Sequence, residues 1–187
     1  SKYVTMIVMG SRGLGGLSGM VMGSVSAAVV SHAHCPVVVV RGDNPVTKDT
    51  KYGPVVVGVD GSGVSQKAIE YAFAEASARE CELIAVHTWM DMQIQASLAG
   101  LSAAQQQWKI VEEEQNMLLG HRLAGYAERY PDVQVTRVVT RDRPVRALVD
   151  AAKGAQLLVV GSHGRGGFKG MLLGSTSRAL LQSAPCP

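Results

Sequence analysis

One glycine pattern occurs twice in this chain. Gly10-Ser11-Arg12-Gly13 leads to Gly23-Ser24, and Gly161-Ser162-His163-Gly164 leads to Gly174-Ser175, each with the spacing G-x2-G-x9-G-S. The copies stay in register from Met6 to Pro36 and from Leu157 to Pro187, down to Cys35-Pro36 against Cys186-Pro187. A short apolar run precedes each (Met6-Ile7-Val8-Met9; Leu157-Leu158-Val159-Val160) and an apolar-periodic stretch follows. Strand, glycine loop and helix start, in that order, let backbone N–H groups converge on a phosphate.

The repeat organises the rest of the chain. Residues 3–9 read as a strand, 24–33 as a helix and Val37–Val40 as a second strand. Residues 44–54 are polar with two prolines and read as a linker between a first unit, 1–43, and a second, 55–187. Val55-Val56-Val57-Gly58-Val59 is a β-branched run of the kind buried on both faces of a sheet. After the turn Asp60-Gly61-Ser62-Gly63, Ser65 is expected to cap a helix with Ala68, Ile69, Ala72, Phe73 and Ala76 inward. Leu83–Val86 reads as a strand and His87 to Gly100 as a long connection. A helix over about 102–129 is expected to bury Trp108, Val111, Leu118, Leu119, Leu123 and Tyr126. Val133–Val139 alternates as a strand does, and Asp142 is expected to cap a helix with Pro144 in its first turn. Alternating strands and helices imply an α/β fold with a doubly wound parallel sheet. The first unit holds only a β-α-β piece, too small to be stable alone, so the chain reads as part of a longer tandem protein.

Composition narrows the class. Of the 187 residues 47% are hydrophobic and 18% charged, which excludes disorder. A net charge of +3, evenly spread, argues against nucleic acid as partner. No apolar run reaches the ~18 residues of a membrane span, so no membrane association is expected. Cys35, Cys81 and Cys186 are odd in number and lack C-x-x-C spacing, so buried reduced thiols in a cytoplasmic protein are expected. No protein metal site is expected either, because His32 and His34 have no partner at ligand spacing.

Val55-Val56-Val57-Gly58-Val59-Asp60-Gly61-Ser62 before a helix, with G-x2-G-x9-G-S far downstream, resembles the universal stress protein family. The duplication is similar to its tandem actinobacterial members. The resemblance implies an open five-stranded sheet in order 3-2-1-4-5, of the adenine nucleotide alpha hydrolase-like type, with the first copy incomplete. It also implies a homodimer, or an intramolecular pseudo-dimer of the repeats, joined in many members through the last strand. The implied ligand is an adenine nucleotide across the carboxyl edge of the sheet: ATP, or AMP or cyclic AMP, with Mg2+ compatible with ATP. By position, Gly58, Val59 and Asp60 lie beside adenine, with Thr88 lining the base pocket. Val160, Gly161, His163, Gly164 and Arg165 approach ribose and α-phosphate, and Gly174, Ser175 and Thr176 hold the outer phosphates. The matching first-repeat set is Gly10, Arg12, Gly13, Gly23, Ser24 and Val25. Leu14 and Ser18 replace Arg165 and Lys169 there, so the first loop is expected to hold phosphate less well.

Each assignment has a plainer alternative. Asp60 also reads as a turn former before Gly61, though the adenine role is the favoured one, and His163 also reads as an exposed loop histidine. His87 reads as a strand-end residue rather than a base. For function, a nucleotide-sensing stress-response regulator stands against a slow ATPase, a cyclic AMP module and a nucleotide-free dimerisation domain. Against catalysis, the chain has no G-x4-G-K-[ST] loop, no S-G-G-x-D-S loop and no base placed for an attacking water.

Overall fold

The computed structural model describes residues 4–11, 22–41, 53–89, 101–164 and 173–187, with backbone alone over 101–107. In chain order the elements are β1 (Ile7–Gly10), α1 (Ser24–His32), β2 (Val37–Val40), β3 (Val55–Gly58), α2 (Gly63–Ala78), β4 (Leu83–Thr88), α3 (Leu101–Arg129), β5 (Val135–Thr140), α4 (Pro144–Ala151), β6 (Leu157–Val159) and α5 (Ser175–Ser183).

The strands form two parallel sheets. One has four strands in the order β5-β4-β3-β6, and the other has only β1 and β2. Val55, Val56 and Val57 on the interior strand β3 are each 0% exposed, because helices cover both faces. Val55 and Val57 pack with Ile69, Phe73, Leu119 and Leu123 of α2 and α3. Val56 packs on the other face with Leu148 of α4 and Leu180 of α5. All five residues expected on the inner face of α2 are buried, and Phe73 stacks on Tyr126 and Tyr130 at 5.7 and 5.9 Å.

Several local expectations need correction. Ser62, not Ser65, caps α2: its Oγ accepts from Ser65 N at 3.2 Å. Ser65 lies inside the helix, and its hydroxyl accepts from Asp60 N instead. Arg143 occupies the N-cap of α4 and gives it no side-chain cap, while Asp142 Oδ1 accepts from Arg143 N at 2.6 Å. Pro144 does stand in the first turn, where a missing N–H costs nothing. Leu118 is 45% exposed, since one residue of helix is a 100° turn away from the buried Leu119. β4 also runs two residues further than expected, pairing His87 with Val139 and Thr88 with Thr140.

The internal repeat is a repeat of hydrogen bonds. Gly23 N donates to Ser11 O at 2.9 Å, and Gly174 N to Ser162 O at 2.7 Å. Ser26 Oγ reaches back 16 residues to Gly10 O, and Ser177 Oγ does the same to Gly161 O. Ile7 N donates to Pro36 O at 2.9 Å where the first copy enters β2, and Leu158 N donates to Pro187 O at 2.8 Å. The described residues of the two copies therefore share these bonds up to the point where β2 begins.

Candidate functional site

The second copy's sheet places two distant motifs together. Asp60 follows β3, where Gly61 has φ +82° and turns the chain into α2. Asp60 Oδ1 accepts from Ser62 N at 2.9 Å, the two-residue reach of an Asx turn. The glycine loop leaves the neighbouring strand β6 at Val160 and Gly161. A Cβ built on Gly164 would run into Asp60 Oδ2. The carboxylate thus lies against the loop backbone, 104 residues along, and a side chain at 164 would have to push it aside.

The loop is braced from within. Ser177 Oγ donates to Gly161 O at 2.6 Å, and Ser162 Oγ lies 3.0 Å from His163 Nδ1. A Cβ on Gly174 would approach His163 Cα to 3.1 Å, and one on Gly161 would meet Val64 Cγ1 at the same distance. Gly174 is the N-cap of α5 and supplies no side-chain cap, in contrast to Ser62 on α2. Uncapped first-turn N–H groups and the positive end of the helix dipole suit an anion. Ser175 is exposed and Thr176 half-buried at that end. These donors fit a phosphate.

Not every expected residue faces the crevice in the same way. Asp60, Gly161, His163, Gly164, Gly174, Ser175 and Thr176 meet at the carboxyl ends of β3 and β6. Thr88 ends the adjacent strand β4. Gly58 is a packing glycine: a Cβ there would stand 3.2 Å from Leu148 and from Val160 Cγ1. Arg165 and Lys169 lie outside the described residues, as do Arg12, Gly13, Leu14 and Ser18 of the first copy. There Gly10, Gly23 and Ser24 repeat the second copy's positions, but Val25 is 70% exposed where the second copy has Thr176.

Sequence reasoning missed the environment of His87. This ring is 4% exposed, with Nδ1 2.6 Å from Val59 O and Nε2 3.1 Å from Gln115 Oε1 on α3. The available signal was register. His87 continues the inward-facing series Leu83, Ala85, so a polar ring had to find partners inside. Beyond it, Trp89 packs on Trp108 at 5.6 Å, and the Arg141 guanidinium lies 3.7 Å from the Trp108 ring centre.

Of the three cysteines, Cys186 is buried, and burial pushes its thiol up to about 11. Cys35 and Cys81 are half-buried rather than buried, and burial raises Cys81 as well. Cys35 and Cys186 both line a cleft of about 560 Å³ between β2 and β6. Among the described residues, no helix is long and apolar enough to cross a membrane.

A parallel sheet wound on both faces, with an acidic strand end set against a glycine loop, defines the α/β class that takes ligands at its carboxyl edge. The universal stress protein family profile matches residues 1–41 and 51–187, and the chain belongs to that family. It is 50% identical over all 187 residues to universal stress protein Rv2005c of Mycobacterium tuberculosis, of which it spans 61%. It is 48% identical to Rv1996 of the same organism, of which it spans 58%. Among solved structures, a universal stress protein from Archaeoglobus fulgidus matches 99% of this chain and 61% of its own, at 24% identity and TM-score 0.65. A universal stress protein in complex with cAMP matches 73% of this chain and 94% of its own, at 26% identity and TM-score 0.51.

Proposed function

We propose that the chain is an adenine-nucleotide-binding regulator of the stress response, taking ATP across Asp60 and the loop from Gly161 to Thr176. The observation that carries this reading is the contact between the Asp60 carboxylate and the Gly164 backbone, which unites the two motifs in one crevice. The uncapped start of α5 supplies the anion end, and Thr88 and Asp60 supply the base end. Cyclic AMP is the second reading, favoured by the related complex at 26% identity. AMP fits the same donors, and Mg2+ would travel with ATP rather than hold a protein site of its own.

The reading is of a binder, not a catalyst. Ser162 and His163 touch one another on an exposed loop, and the sequence has no G-x4-G-K-[ST] phosphate loop to drive phosphoryl transfer. In the proposed whole protein, a fifth strand follows Pro187 beside β6 and completes the order 3-2-1-4-5. The Leu158 N to Pro187 O bond supports this, since its twin, Ile7 N to Pro36 O, opens β2 in the first copy. That strand would enter the cleft facing β2 and join the two repeats as a pseudo-dimer, in a reducing, cytoplasmic setting that keeps the thiols unpaired.

Calorimetry with ATP, AMP and cyclic AMP tests the proposal, paired with thermal melts. A ligand at 100 times its Kd stabilises the fold by about 2.7 kcal/mol. Saturable binding of ATP, with turnover far below the ordinary kinase range of about 1–100 per second, is expected. Preference for cyclic AMP selects the second reading, and absence of heat with all three nucleotides rejects both.

A further inference from the structure

We propose that His87 is a positioning residue of the nucleotide crevice, holding the Val59–Asp60 peptide by its carbonyl and tying it to α3. This rests on the nucleotide reading above and extends it to a residue outside the two motifs. The last main-chain rung between β3 and β4 runs from Val59 N to Val86 O at 2.9 Å. The next acceptor on β3 is the Val59 carbonyl, and the His87 ring takes it at 2.6 Å. A carbonyl only accepts, so Nδ1 carries the hydrogen. Gln115 then faces Nε2 at 3.1 Å, with an amide that donates or accepts according to its rotation.

Two consequences follow for the crevice. The peptide that carries Asp60 is anchored on its carbonyl side by His87 and on its amide side by Ser65 Oγ at 3.2 Å. The carboxylate is therefore presented to Gly164 by a peptide with little freedom to rotate. Second, β4 directs alternate N–H groups to opposite neighbours, and Trp89 N donates to Thr140 O on β5. Thr88 N–H is then directed to the β3 side. Among the described residues no hydrogen bond joins it to Val59 O, the acceptor His87 has taken. This donor stands at the carboxyl end of the sheet, where the nucleotide of the proposed reading would meet it. The same ring makes α3 the element that registers a shift of the Asp60 peptide.

Two substitutions split the ring into its halves. The amide N–H of asparagine reaches the place of Nδ1, and that of glutamine the place of Nε2. His87→Asn is expected to bind ATP within about threefold of the parent, and His87→Gln to weaken binding on the order of tenfold, the worth of one buried hydrogen bond. A purely structural histidine would instead lower the melting temperature in both variants and leave the affinity of the folded protein alone. Equal affinities in the two variants, or a loss in His87→Asn as large as in His87→Gln, overturn the proposal. Amide NMR supplies a readout without nucleotide: the Asp60 and Thr88 resonances move most in His87→Gln, which loses the Val59 bond, and less, by similar amounts, in His87→Asn and Gln115→Leu, which lose only the Gln115 bond. If the parent binds none of the three nucleotides, the nucleotide reading fails by itself, and those resonances still judge the His87 linkage. Unmoved resonances in Gln115→Leu overturn it even where His87→Gln does not fold.

Discussion

The two glycine loops share their hydrogen bonds and differ in what surrounds them. Each has a glycine N-cap in extended conformation, a serine returning to the strand-end glycine, and a bond from the glycine N to the loop serine carbonyl. The second loop leans on a four-stranded sheet and meets Asp60. Within this chain the first borders β1 and β2, and its helix offers the apolar, exposed Val25 at the position of Thr176. The bonds that shape a glycine loop are thus local, whereas the partner that turns the loop into a crevice comes from another strand. An anion needs only the first, but a nucleotide needs both.

The sharpest way to break this comparison is Gly164→Ala. The new Cβ displaces the Asp60 carboxylate, so ATP affinity by calorimetry should fall more than tenfold, or at least about 1.4 kcal/mol. Asp60→Ala should weaken binding too, and the double variant should lose less than the sum, because each change already breaks the same contact. Additive losses would mean that the carboxylate and the loop act independently. Ser177→Ala comes next. It leaves the Gly161 carbonyl without its 2.6 Å donor, so urea melts should show a loss of about 1–2 kcal/mol. Ser26→Ala, the twin at Gly10, is expected to cost the same or less, and a larger loss there would reverse the ranking of the two loops.

Cys186 gives a subtler contrast through pH. Its thiol is raised from 9.0 to about 11 by burial, so between those values the folded chain holds a proton that the unfolded chain has released. The stabilisation is complete below pH 9 and is lost as pH rises toward 11. Tyr71, raised to about 12 mainly by burial, adds a loss of the same sign from pH 10 upward. Cys186→Ala should flatten the fall in urea midpoint between pH 8.5 and 10, while an unchanged slope would assign the effect elsewhere. Least of all, Val25→Thr restores the second copy's residue at an exposed site. Its effect on stability should stay within about 0.5 kcal/mol, and any gain in nucleotide stoichiometry by calorimetry would show the first loop to be competent.

The amino-acid sequence by itself determined the features whose physics is local or periodic. The valine run of β3 announced a strand buried on both faces, and the inward residues of α2 followed from their helical spacing. Both glycine loops were legible because their bonds close within 16 residues. Capping was less legible: Ser62 and Ser65 both qualify by type, and only the path of the chain decides which hydroxyl meets which N–H. Asp142 lost the α4 cap for the same reason. The tertiary structure alone decided that Asp60 lies against Gly164 and that His87 bridges Val59 to Gln115. Those contacts join residues whose separation along the chain carries no periodic signal. They exist because parallel strands bring their carboxyl ends to one edge, where a buried polar group must bond to whatever the neighbouring strand or helix presents.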